Sequence, residues 1–217
     1  TGLLSLARFV AMDLETTGPN MLRDRIISIG AVAVVERVVR HDDAFEVVVR
    51  QASESRADNI LIHQIGGQEQ RAGVEPTDAL LSFLEFLDGS IAVAFRSEFD
   101  STVLGRELQD SLGIRAGTRF LDLANVLPAL FPNTPNDSLD DWARYFGLPP
   151  IGRHHAIADA YANAQLLLLA LEKAQAAGLA TAVDMVSTEN AQFREIAESA
   201  LPFTDYLIVN EIEAGPS

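Results

Sequence analysis

In the run Phe9-Val10-Ala11-Met12-Asp13-Leu14-Glu15-Thr16-Thr17-Gly18, two carboxylates stand two residues apart at the end of an apolar stretch. On a β-strand that spacing turns both side chains to one face, where they can share a cation. Carboxylate oxygens suit hard ions such as Mg²⁺ or Mn²⁺, and two acids in an apolar setting repel each other unless metal or solvent compensates. The same residues would also serve as a solvated strand end before a Thr-Thr-Gly turn. A second acid, Asp100, follows in Ser97-Glu98-Phe99-Asp100, just after a short apolar run and at the start of a helical pattern. The third group is Arg153-His154-His155-Ala156-Ile157-Ala158-Asp159, a polar loop running into a long helical pattern. Asp100 and Asp159 both sit where an aspartate can simply cap free amides and oppose the helix dipole.

The elements that must position these groups are legible from periodicity. Phe9 to Leu14, Arg25 to Val39 and Phe45 to Arg50 read as three opening strands, with His41-Asp42-Asp43 as turn material between the second and third. From Pro76 the apolar residues Leu80, Leu81, Phe83, Leu84 and Leu87 recur at helical spacing until Asp88-Gly89. Ile91 to Phe95 is then a buried strand, Ser101 to Leu112 a helix, Arg119 to Leu123 a brief strand, Ser138 to Phe146 a helix, and Ala156 to Ala177 a long helix stopped by Gly178. Three strands followed by alternating helices and strands predict a mixed α/β sheet. Residues 1–178 are expected to form the main domain. Residues 179–217 form a C-terminal extension, with helical spacing around Glu189 to Ala200 and a strand-like Tyr206 to Val209.

With no cysteine in 217 residues, disulfides, thiolate metal sites and cysteine nucleophiles are excluded, and a reducing, cytoplasmic location is expected. The longest apolar runs are too short for a membrane span, so no membrane partner is expected. From the opening Thr1-Gly2, without methionine, a processed or excised chain is expected. The signatures of phosphate-binding loops, zinc proteases and serine-elbow hydrolases are all missing from the sequence.

The order of the three groups, with Asp24-Arg25-Ile26-Ile27-Ser28-Ile29-Gly30-Ala31-Val32 between the first and second, resembles the DEDD exonucleases. The resemblance is to the histidine-bearing DEDDh branch, which includes the proofreading epsilon subunit of DNA polymerase III, ribonuclease T and oligoribonuclease, and it covers roughly Arg8 to Lys173. It implies a ribonuclease-H-like fold, three antiparallel strands first, flanked by helices. It implies that Asp13, Glu15, Asp100 and Asp159 hold two Mg²⁺ ions, with Mn²⁺ able to substitute. The spacing of five residues to Asp159 selects His154 over His155 as general base, a task suited to imidazole near neutral pH. The implied activity is 3′→5′ removal of nucleoside 5′-monophosphates from a single-stranded 3′ end of DNA or RNA, with a polymerase or other protein as a possible partner. Leu14, Thr16, Thr17, Phe99 and Arg96 are the expected substrate contacts.

Two positions depart from the family's pattern: Phe95-Arg96 stands where a His-Asn pair is usual, and Asn163 replaces a common threonine. Arg96 reads first as the partner of one of the many acids, and second as a fork of donors for a phosphate. The net charge of −15 argues against broad adhesion to a nucleic-acid backbone and predicts contact with only a few nucleotides. It also keeps open a non-catalytic interaction module on the same scaffold. An endonuclease is disfavoured by the histidine before the last acid.

Overall fold

A computed structural model of the chain describes residues 8–115, 117–132, 134, 137–149 and 154–176. The helix at 189–200 and the strand at 206–209 expected from the sequence lie outside the described residues, as does the rest of the C-terminal extension.

Five strands form one sheet in the order β3-β2-β1-β4-β5. They are β1 (Arg8–Thr16), β2 (Ile26–Val35), β3 (Val38–Val48), β4 (Ile91–Ala94) and β5 (Phe120–Asp122). β1 pairs antiparallel with β2, and β2 with β3, whereas β4 runs parallel to β1 and β5 parallel to β4. The mixed α/β sheet with three antiparallel strands first is therefore present. The helices are α1 (Ala57–His63), α2 (Gly67–Ala72), α3 (Pro76–Leu87), α4 (Ser97–Leu112), α5 (Leu123–Leu130), α6 (Leu139–Tyr145) and α7 (Ala156–Ala176). No helix among the described residues is long and apolar enough to cross a membrane.

One expected strand is in fact two. The β-branched run from Ile26 continues to Val39, but the chain reverses at Glu36-Arg37, both with positive φ, and Val35 pairs with Val38. Two successive positive-φ residues are the signature of the tight hairpin turn whose twist matches the strands it joins. The expected turn at His41-Asp42-Asp43 lies instead within β3, where pairing jumps from Ala33–Arg40 to Val32–Ala44 and leaves these three residues as a bulge.

Alternation along β1 assigns its two faces. Val10, Met12 and Leu14 pack with Leu80, Phe83, Val103 and Leu104 of α3 and α4, while Phe9 and Ala11 pack with Leu127, Trp142, Ala164 and Leu167 on the α5, α6 and α7 side. The period of two continues into the acids, so Asp13 and Glu15 lie on the α7 face, as their spacing predicts.

That face is approached unusually closely by α7, whose inward stripe is largely alanine: Ala156, Ala160, Ala164 and Ala170 are all buried. Opposite Asp13 in the sheet stands Gly30. A Cβ there would lie 2.1 Å from the backbone carbon of Ala156 and the backbone nitrogen of Ile157. Backbone cannot step aside as a side-chain tip can. Gly30→Ala is thus expected to push the start of α7 off the sheet, at or above the upper end of the roughly 1–3 kcal/mol cost of overpacking. In a chain of this size that is about 6–12 °C in Tm. A thermal melt checks it, and a variant melting within a degree or so of the parent would show that α7 can slide without cost.

Candidate active site

The C-terminal end of β1 faces a pocket of about 270 Å³ lined by Asp13, Leu14, Glu15, Phe95, Arg96, Ser138, Leu139, His154 and Asp159. β1 is the strand at which antiparallel pairing on one side gives way to parallel pairing on the other. Chain ends diverge at such a point and leave a crevice, the usual ligand site of open α/β sheets.

Each predicted group arrives by a different element. Asp13 and Glu15, both half-buried, come from β1. Asp159 is 4% exposed in the first turn of α7, and its amide donates to the His155 carbonyl at 3.0 Å. Its carboxylate accepts the His154 amide at 3.3 Å, so it does carry a capping role beside its place in the pocket. Four residues on, Asn163 is fully buried and its side-chain amide donates to the Met12 carbonyl at 2.9 Å. The departure at position 163 is therefore a pin between α7 and β1, one residue from Asp13.

His154 is exposed, with φ +63°. Ligand atoms of Glu15, His154 and Asp159 all lie within 4.8 Å of one another, close enough to surround one cation. Carboxylate oxygens are the donors a hard divalent ion would take here, and the imidazole stands within reach of the same point. His155 does not line the pocket.

Asp100 is not among the lining residues, though it takes a hydrogen bond from the Leu14 amide and feels the charge of Glu15. It is 5% exposed, and burial pushes its carboxyl up to about 7, opposed by hydrogen bonds from its own and the Leu14 backbone N–H groups and reinforced by the charges of Asp122 and Glu15. Such a carboxylate needs a nearby cation to ionise at low cost, and the donor set of acids around it suits a divalent ion. The consequence for stability has a definite sign. A buried carboxyl that titrates higher in the folded than in the unfolded chain binds more protons when folded, so without metal its contribution falls as pH rises from about 4 to about 7. Asp100→Asn removes the charge at constant shape. In chelator it is expected to melt higher than the parent, by a margin that grows from pH 5 to pH 8 and is on the order of a few kcal/mol at most. A divalent ion should raise the Tm of the parent and not of the variant. A margin independent of pH would show that Asp100 is already compensated by protein.

The remaining predicted contacts divide. Leu14 lines the pocket, although its side chain belongs to the core, and Phe99 packs on that core outside the pocket. Thr16 Oγ1 donates to the Gly18 carbonyl at 2.7 Å, and Thr17 Oγ1 bonds the Asp24 carboxylate at 3.2 Å and accepts the Arg25 amide at 3.0 Å. Both hydroxyls thus shape the turn after β1. Arg96 lines the pocket but pairs with no acid among the described residues: its Nη2 donates to the Asp137 carbonyl at 2.8 Å.

Asp122 escaped the sequence reading. At the end of β5 it accepts the Arg96 amide at 2.9 Å, the Ser97 amide at 3.2 Å and the Ala124 amide at 2.8 Å. It therefore caps the start of α4, which carries Asp100, as well as α5. The only signal available was its own position at the end of a short apolar run.

The fold matches known structures. E. coli exonuclease I in complex with a dT13 oligonucleotide aligns with TM-score 0.69 and 18% identity over 79% of this chain and 42% of that one. An exonuclease I from Methylocaldum szegediense aligns with TM-score 0.66 and 20% identity over 76% of this chain and 40% of that one. Sheet and helices together have the ribonuclease-H-like fold of these structures. The RNase_T family model, described as exonuclease, matches residues 10–167, and the chain belongs to that family. The resemblance to DEDDh exonucleases is borne out at the level of the family.

Among relatives, the DNA polymerase III PolC-type protein of Caldanaerobacter subterraneus subsp. tengcongensis is 28% identical over 209 residues. That match takes in 95% of this chain but 14% of the relative, so the chain spans about one seventh of the PolC-type protein. The DNA polymerase III subunit epsilon of Buchnera aphidicola subsp. Acyrthosiphon pisum is 27% identical over 172 residues, 75% of this chain and 72% of the relative.

Proposed function

We propose that the chain is a 3′→5′ exonuclease that hydrolyses the terminal phosphodiester of a single-stranded 3′ end and releases a nucleoside 5′-monophosphate. The observation that carries this is the cluster of Glu15, His154 and Asp159 beside Asp13 in one pocket of an exonuclease fold. In this reading Asp13, Glu15, Asp159 and the buried Asp100 hold two Mg²⁺ ions, for which Mn²⁺ can substitute. Bound divalent ions supply a lowered water pKa and charge neutralisation at the leaving oxygen.

The chain's own residues supply the rest. The imidazole of His154 accepts the proton of the attacking water as the new O–P bond forms, and the bond from phosphorus to the 3′ oxygen breaks on the opposite side. Asp159, fixed by α7, holds the His154 backbone through its amide and so keeps the ring at the pocket. The leaving 3′ oxygen then takes a proton from solvent. The naming of relatives as DNA polymerase III components supports a DNA substrate and a polymerase partner in the cytoplasm. The exonuclease domain is assigned to residues 1–178, supported by a family match ending at 167 and by α7 ending at Ala176.

The test is direct: incubate the protein with end-labelled single-stranded DNA and RNA oligomers in Mg²⁺, Mn²⁺ or EDTA. A ladder shortening from the 3′ end, present with metal and missing with chelator, is expected. Intact oligomers under every condition would return the protein to the non-catalytic interaction module.

A further inference from the structure

The pocket's lining joins two kinds of group: Asp13, Glu15, Asp159 and His154, and beside them Phe95, Arg96, Ser138 and Leu139. Among the described residues, Arg96 is the only guanidinium or ammonium group lining it.

Its position is built from both ends. The backbone is left-handed, with φ 60° and ψ 52°, a conformation that costs a non-glycine residue roughly 1–2 kcal/mol and persists only when surroundings impose it. Asp122 imposes it by accepting the amides of Arg96 and Ser97. The guanidinium is steadied by the Asp137 carbonyl, which occupies one of its five N–H donors. Elsewhere on this acidic chain Arg8, Arg25, Arg40 and Arg71 each reach a carboxylate. Arg96 is oriented by a neutral carbonyl and forms no ion pair among the described residues, so its charge faces the pocket uncompensated by a carboxylate contact.

The pocket's volume of about 270 Å³ falls below the roughly 300–1,000 Å³ of typical ligand sites, room for a terminal nucleotide and not for a longer piece of strand. In the exonuclease reading, on which this inference rests, the scissile phosphate draws its positive charge from ions held by the acidic groups. Among the described residues, Arg96, exposed at the pocket, is the cation left for the next phosphate toward the 5′ side. We infer that Arg96 binds the internucleotide phosphate immediately 5′ of the scissile one, and thereby sets this enzyme's preference for strands that carry it. Guanidinium suits this task because its planar fork engages two phosphate oxygens at once.

Binding measured by fluorescence anisotropy in Ca²⁺, which suppresses cleavage, tests the inference without turnover. The probes are a short all-phosphate DNA strand and the same strand with one neutral methylphosphonate at the linkage next to the terminal one. Arg96→Gln is expected to weaken binding of the all-phosphate strand about tenfold, the lower range for hydrogen bonds to charged groups. It should also lower the salt slope by about 0.7, the loss of one single-strand phosphate contact. The methylphosphonate should cost the parent protein a similar factor and cost Arg96→Gln nothing further, with Arg96→Lys between the two. Additive losses, or an unchanged salt slope, would overturn the assignment. If Arg96→Gln does not fold, the parent alone decides, because indifference to the methylphosphonate at that linkage rejects the inference. Linkage-dependent binding without nucleotide release in Mg²⁺ or Mn²⁺ would reject the exonuclease reading and leave Arg96 standing. Cleavage without linkage dependence would do the reverse.

Discussion

Asp13→Ala is expected to release nucleotides from a 3′ end at least about a thousandfold more slowly than the parent protein. Asp13 is fixed in the central strand, opposite Gly30 and on the face covered by α7. Nothing in so rigid a place can swing in to replace it. A metal ion supplies several kcal/mol of transition-state stabilisation, and each 1.36 kcal/mol is tenfold in rate, so loss of a ligand from the strand reaches three orders of magnitude. The fold should survive, because the change removes a half-buried acid from a cluster of like charges. The metal-free variant should therefore melt no lower than the metal-free parent. EDTA should reproduce the defect in the parent, and Mg²⁺ or Mn²⁺ should restore the parent only. Should Asp13→Ala keep a tenth of the parental rate with its melting temperature intact, Asp13 is not a ligand.

Much of the site was visible in the sequence because its spacing rules are local. Asp13 and Glu15 share a face because strands alternate, and His154 and Asp159 flank one helix start. What the sequence concealed is carried by contacts between distant segments. Asp100 resembled a helix cap, yet α4 begins at Ser97 and is capped across the sheet by Asp122, 25 residues downstream of Ser97. Arg96 resembled an ion-pair partner in a chain rich in acids, but the 137–139 segment folds back to present a carbonyl to it. Asn163 resembled a substitution at a family position and proved to be a tie between α7 and β1.

The elements missed in the fold share a physical cause. The hairpin at Glu36-Arg37 has neither glycine nor asparagine to announce its positive φ, and valines on both sides extend the apparent strand through it. α1 and α2 are seven and six residues long, and neither has a side-chain cap. They are held by buried polar contacts instead. Gln70 donates to the Ser55 hydroxyl at 2.9 Å and to the Ile65 carbonyl at 2.8 Å, and the His63 ring lies 3.2 Å from the same hydroxyl. α5 follows β5 without a break and carries Pro128 inside it, so its interior has no helical signature and its one start signal, the cap Asp122, is hidden at the end of a strand. Long amphipathic helices such as α3, with Pro76 at its first turn, were legible because burial of one face dictates their period.

The adjacent histidines are expected to differ sharply: His154→Ala should lose about two to four orders of magnitude in turnover, the range of a general base, and His155→Ala far less. Geometry separates them. His154 lines the pocket, and its ring lies within 4.8 Å of ligand atoms from both Glu15 and Asp159. His155 is half-buried, and its carbonyl opens α7 by accepting the Asp159 amide at 3.0 Å, a backbone duty that alanine performs equally well. One complication is the left-handed backbone of His154, at φ +63°, which alanine tolerates poorly and glycine freely. His154→Gly therefore separates loss of the ring from strain in the chain. If the imidazole is what matters, the alanine and glycine variants should be equally slow, and added imidazole should restore part of the rate in both. Recovery in the glycine variant alone would mean that the loss came from the backbone and from the position of Asp159, whose carboxylate accepts the His154 amide. Equal losses at the two histidines, or a greater one at His155, would show that the spacing of five residues to Asp159 picks out the wrong base.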